Sequence, residues 1–176
     1  RSQVTIHATL ASLRRAGFSG ELHIFAEPQS EVPAAPGVIR HRNPVQLHMW
    51  QNWLQAARHL LDHTAAPFLL LMEDDFEVAR GAAERLAALL LTADPRHFGL
   101  ATLYTANHLP ESTARPARWL PLGSRSAAWG SLGYCFSRRS LLELLETRAV
   151  REHHGRDGTD DIVSRAVREL SREIYA

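Results

Sequence analysis

The chain has 176 residues, 45% apolar and 22% charged, which fits one globular domain with a real core and argues against global disorder. Twenty basic residues against nineteen acidic ones give a formal charge of +1, so bulk attraction to nucleic acid or to an anionic membrane is excluded and any phosphate-binding surface must be local. A single cysteine, Cys135, rules out an intrachain disulfide and fits the cytoplasm, no run approaches the roughly 20 apolar residues of a membrane span, and no signal-peptide pattern opens the chain.

From Val4 to Ala16 the apolar residues Ile6, Leu10 and Leu13 recur at helical spacing, and Gly17 is a natural stop. Glu21 to Ala26 alternates as a short strand does, and Gln29 to Gly37 reads as a surface loop. Another short strand is expected over Gly37 to Arg40. Gln46 to His63 follows the helical repeat through Leu47, Trp50, Leu54, Ala57 and Leu61, which assigns Trp50 and Trp53 to a packing face. Phe68 to Met72 is a continuous apolar run, expected as a central strand buried on both faces of a parallel sheet, and it ends abruptly in Glu73-Asp74-Asp75.

Gly81 to Thr92 is a Leu- and Ala-rich helix, Phe98 to Tyr104 a strand, and Thr105 to Arg118 a long loop with two prolines. Trp129 to Phe136 reads as a Gly-interrupted strand, with Ser137 as N-cap of a Leu-rich helix over Ser140 to Thr147. Arg151 to Gly158 is a polar loop. Thr159 then caps a last helix whose apolar members are Ile162, Val163, Ala166, Val167 and Leu170. Strands alternating with helices predict an α/β fold, a mainly parallel central sheet flanked by helices, with ligands at the carboxyl ends of the strands. That rule nominates Glu73 to Asp75.

Three successive carboxylates beyond an apolar strand repel one another unless water, donors or a cation neutralise them. A hard divalent ion does so with few ligands, because Mg2+ and Mn2+ take one or two carboxylates and complete their shell with water and substrate phosphate. A solvated acidic cluster is the other reading of the same residues. Asp160-Asp161 at a helix start serves either as a proton-accepting carboxylate or as ordinary capping. His153 and His154 match no zinc spacing, Cys135 lies in an apolar strand without a partner base, and Trp129 either packs in the core or stacks on a sugar.

The segment Leu70 to Phe76 resembles the hydrophobic strand and Asp-x-Asp-type motif of GT-A (Rossmann-like) glycosyltransferases, above all the Glu-Asp-Asp form of inverting N-acetylglucosaminyltransferases and family 2-like enzymes. The second half is similar in order: Trp129-Gly130-Ser131-Leu132-Gly133-Tyr134, a Leu-rich helix, then Asp160-Asp161. The resemblance implies that Asp75 ligates Mn2+ or Mg2+, that Glu73 and Asp74 lie nearer the ribose and sugar of a nucleotide-sugar donor, with UDP as the expected nucleotide, and that Trp129 and Gly130 pack beneath the donor sugar. Asp161 best matches the catalytic base, with Asp160 as the neighbour that positions the acceptor or the helix cap. It also implies one catalytic domain over 1–176, cut at both ends, since a leading strand and a later metal-binding His are expected in the family. A metal-dependent phosphohydrolase and a non-catalytic nucleotide-sugar- or carbohydrate-binding module are the alternative readings.

Overall fold

A computed structural model describes residues 2–32, 34–104, 119, 132–155 and 158–176, with side chains from residue 6 onward. Among them the chain is mixed α/β. Helix α1 (Ser2–Arg15) leads into a parallel pair of strands, β1 (Leu22–Ala26) and β2 (Val38–Arg42). Next come α2 (His48–His63), β3 (Phe68–Met72), α3 (Ala82–Thr92) and β4 (Phe98–Thr102). After the long connection follow β5 (Gly133–Ser137), α4 (Arg138–Leu145), a single turn α5 (Arg148–Arg151), α6 (Thr159–Glu169) and β6 (Glu173–Tyr175).

The larger sheet has the order β3-β5-β4-β6 and is mixed. Strand β5 runs against both β3 and β4, and only β4 and β6 pair in parallel, which corrects the expected mainly parallel central sheet. The reason is topological: β5 enters between β3 and β4, whose common direction leaves the intervening strand antiparallel to both. The second correction concerns β3, which stands at the edge of this sheet. Leu69 and Leu71 are buried, but Phe68 is exposed and Leu70 only half-buried. The central strands are β4, buried along its whole length, and β5.

Side chains that alternate across the pleat build a core on each face. Leu69, Leu71, Leu100, Tyr134 and Phe136 meet Trp50, Trp53 and Leu61 of α2, Leu141 and Leu144 of α4, and Ile162, Val163 and Val167 of α6. On the other face Ala101 and Cys135 meet Leu86 and Leu89 of α3. The two tryptophans therefore pack as expected, stacked with centroids 5.4 Å apart. Ser137 caps α4 as read from sequence, its hydroxyl accepting the Ser140 amide at 3.0 Å. Thr159 does not cap α6: Gly158 holds the N-cap position at φ 90°, and Thr159 is the first helical residue, fully buried. Gly99 admits β6, since a Cβ there would lie 2.7 Å from the Glu173 carbonyl oxygen, and the β4–β6 register shifts at that point.

The small sheet is attached differently. The Asn52 amide donates to the Phe25 carbonyl at 3.0 Å, Asn43 donates to Asn52 at 2.9 Å, and Gln55 donates to Asn43 at 2.8 Å. The Glu27 carboxylate accepts the Leu47 amide at 2.9 Å, at the start of α2. Between β1 and the free edge of β3 lies a cleft of about 1780 Å³ that also touches α1 and α3.

Candidate functional site

The acidic triplet lies at one end of this cleft, where β3 stops. Met72 is the last residue paired with β5, opposite Gly133, and the Glu73 amide continues the pairing by donating to the Leu132 carbonyl at 3.1 Å. Beyond it the backbone is held by α1. The Thr9 hydroxyl lies 2.8 Å from the Asp74 carbonyl and 2.9 Å from that of Phe76, and the Val78 amide donates to the Ser12 hydroxyl at 2.9 Å. Both helix residues are buried, so the turn is fixed from behind, with Glu73 half-buried and Asp74 and Asp75 exposed. Phe76 packs over Gly133, where a Cβ would come within 3.1 Å of its ring.

Electrostatics tie the triplet to α6. The Glu73 carboxyl is pushed up to about 7, chiefly by burial and then by Asp75, Asp160 and Asp74. Asp74 is raised in the same direction by desolvation and by Asp75, against the lowering effect of its own amide. The buried Tyr134 hydroxyl is held well above its ordinary value by burial, with Asp160 and Glu73 adding to the effect. Asp160 of the first turn of α6 thus lies near enough to act electrostatically on both Glu73 and Tyr134, although it is far from them in the chain. Asp161 does not: its side chain is 68% exposed and pairs with Arg165 one turn on at 3.1 Å. Asp74 and Asp75 are both exposed at the mouth. Trp129 and Gly130 lie outside the described residues, as does the loop Thr105 to Arg118.

The donor set at this place is all oxygen, the chemistry of a hard cation. The carboxylates do not close a protein cage: among the described residues the acidic side chains form no three-membered group of converging ligand atoms. Other sequence candidates fall away. The Cys135 thiol is buried and pushed up to about 12, which makes it a packing residue rather than a nucleophile. His153 packs edge-on against Trp50 with centroids 5.8 Å apart, and His154 is exposed.

Sequence reasoning passed over one group of ligand-type side chains. His23 of β1, His41 of β2 and His59 of α2 offer nitrogen atoms within 4.8 Å of one another. The available signals were weak: His23 and Phe25 alternate on a strand, and His59 and His63 are four apart on a helix. What brings them together is the β1–β2 register, which sets Phe25 opposite His41.

Searches of protein-family models, curated proteins and solved structures found no match to this chain.

Proposed function

We propose that this chain is the donor-binding and catalytic part of a GT-A-type glycosyltransferase that moves a sugar from a nucleotide-diphosphate donor, with UDP as the expected nucleotide, to an acceptor hydroxyl with inversion. The observation that carries the reading is the electrostatic coupling of half-buried Glu73, at the cleft end of β3, to Asp160 in the first turn of α6, two acidic sites from separate halves of the chain. An inverting transfer needs a carboxylate that accepts the acceptor proton and a counter-charge for the departing diphosphate. Asp75, with Asp74 beside it, would hold Mn2+ or Mg2+, whose chemistry when bound is to neutralise that leaving group.

Of the acid pair, Asp160 receives the base role, because it is electrostatically coupled to Glu73 whereas Asp161 is exposed and paired with Arg165. Asp160 takes the proton from the acceptor hydroxyl, the acceptor oxygen bonds to the anomeric carbon, and the nucleoside diphosphate leaves with the electrons of the broken bond. Glu73, titrating near neutrality, orients donor hydroxyls by donating or accepting a hydrogen bond. Among the described residues no helix is long and apolar enough to cross a membrane. A cytoplasmic location is part of this proposal.

The test is a panel of nucleoside diphosphates and their sugars, scored for manganese-dependent thermal stabilisation, since a ligand selective for the folded state raises its stability. UDP with Mn2+ should stabilise the parent, and Asp75→Asn should weaken binding by at least about tenfold, or about 1.4 kcal/mol. With an acceptor identified, Asp160→Asn should abolish turnover while Asp161→Asn keeps most of it. Stabilisation by free phosphate with release of phosphate from esters would favour the phosphohydrolase, and donor binding without turnover the binding module.

A further inference from the structure

His23 and Phe25 of β1 share a sheet face with Ile39 and His41 of β2, and α2 lies across that face. An apolar seam would be the ordinary solution for a helix on a sheet. Instead this contact is built from imidazoles. The His23 and His41 rings are parallel at 5.1 Å, His41 stacks on Phe25 at 4.5 Å, and His59 tilts onto His41 at 4.3 Å and His23 at 5.3 Å. His63 stacks behind His59 at 4.1 Å. The His23 side chain is only 7% exposed.

The hydrogen bonds fix which nitrogens are available. His23 Nε2 lies 2.7 Å from the Glu21 carboxylate, which accepts only, so this nitrogen carries a proton and Nδ1 is the nitrogen left to face His41. That Nδ1 faces His41 Nε2 at 2.9 Å. A carboxylate accepting from the outer nitrogen of an imidazole is the usual outer partner of a metal-ligating histidine, orienting the ring and raising its basicity. His41 and His59 are both held below the ordinary histidine value, first by desolvation and then by the neighbouring rings. Neutral imidazole is the ligating form.

We propose that His23, His41 and His59 form a zinc site that fastens the β1–β2 sheet to α2, with water in the fourth position. The donor set is three nitrogens and no oxygen, which selects a borderline-soft transition ion over Mg2+ or Mn2+. Zn–N bonds of about 2.0–2.1 Å in tetrahedral geometry set two nitrogens about 3.4 Å apart, so His23 and His41 need to separate by only about half an ångström. In the loaded site His41 carries its proton on Nδ1, so that both facing nitrogens offer lone pairs to the ion. A two-stranded sheet is marginal alone, and this one is otherwise tied to α2 by the amide network of Asn43, Asn52 and Gln55 and by the Glu27 carboxylate on the Leu47 amide. The site is separate from the acidic cluster and does not depend on its assignment.

The experiment uses the untagged 176-residue chain, stripped with a chelator and titrated with Zn2+ by calorimetry, and with Co2+ for its visible spectrum. One equivalent should bind, Co2+ should give the intense bands of a four-coordinate nitrogen site, and Zn2+ should raise the melting temperature. His41→Gln and His59→Gln should each weaken Zn2+ by at least about 100-fold, and Glu21→Gln by about tenfold, the range for an outer partner. Circular dichroism separates lost folding from lost binding, and the half-buried His59 keeps the test usable if His41→Gln does not fold. Asp75→Asn should leave Zn2+ affinity unchanged. Absence of stoichiometric binding, binding that survives both histidine variants, or binding abolished by Asp75→Asn would each overturn the site.

Discussion

The two sheets of this molecule are held by different physics. Strands β4 and β5 are covered on both faces by aliphatic and aromatic side chains, with Leu100, Phe136, Leu141 and Val163 fully buried. Strands β1 and β2 bury little beyond Ala26, and their ties to α2 are side-chain amides, a carboxylate and imidazoles. Apolar burial is non-directional and scales with area, whereas the polar seam depends on individual partners in fixed geometry. The buried packing of the first region is therefore insensitive to small chemical change, whereas the seam of the second responds to protons.

The largest expected break is in the first region. Phe136→Ala removes a fully buried ring that meets Trp53 and Tyr134, and should cost about 3–5 kcal/mol in urea unfolding. A loss under about 1 kcal/mol would mean that the larger sheet is not the stabilising one. Next comes Asn43→Ala. It strands Asn52 and Gln55 without their partner and should cost about 1–3 kcal/mol. Amide exchange should accelerate over residues 22–42 more than over 133–137, and a uniform acceleration would join the two regions into one cooperative unit.

The smallest effect is in pH, and the two regions should have opposite signs. His41 and His59 lie below 6.5 in the folded state, so their contribution is fully present above that value and lost as pH falls toward their folded values. Glu73 is raised from 4.5 to about 7, so its contribution is present below 4.5 and lost as pH rises through 7. Melting curves at about pH 5.5 and about pH 8 should show His41→Gln flattening the acidic fall and Glu73→Gln flattening the alkaline one. Parallel curves for both variants would remove the difference between the regions.

Much of the fold was legible where one signal sufficed. The apolar run Phe68–Met72 matches β3 residue for residue, and the helical repeat ending at His63 matches the end of α2. The four-residue α5 and three-residue β6 are too short for any period to register, and sequence order carries no trace of β5 inserting between β3 and β4. At the site, the abrupt end of an apolar strand exposed Glu73 to Asp75 as a place of interest. Which of Asp160 and Asp161 couples to Glu73 was not legible, because adjacent helical residues point about 100° apart and the phase is set by where Gly158 starts α6. The histidines were hidden for a related reason: their meeting depends on strand register and helix docking together.

The hold of α1 on the acidic turn has a mechanical consequence. Asp74 and Phe76 are anchored by Thr9, and Val78 by Ser12, through hydroxyls of a helix more than sixty residues earlier in the chain. A rigid-body slide of α1 would drag the carboxylates of the turn with it while leaving every β3–β5 ladder bond intact. The helix is thus placed as a lever on the acidic rim: a displacement of α1 would reach the cleft mouth through these hydroxyls without any strand having to melt.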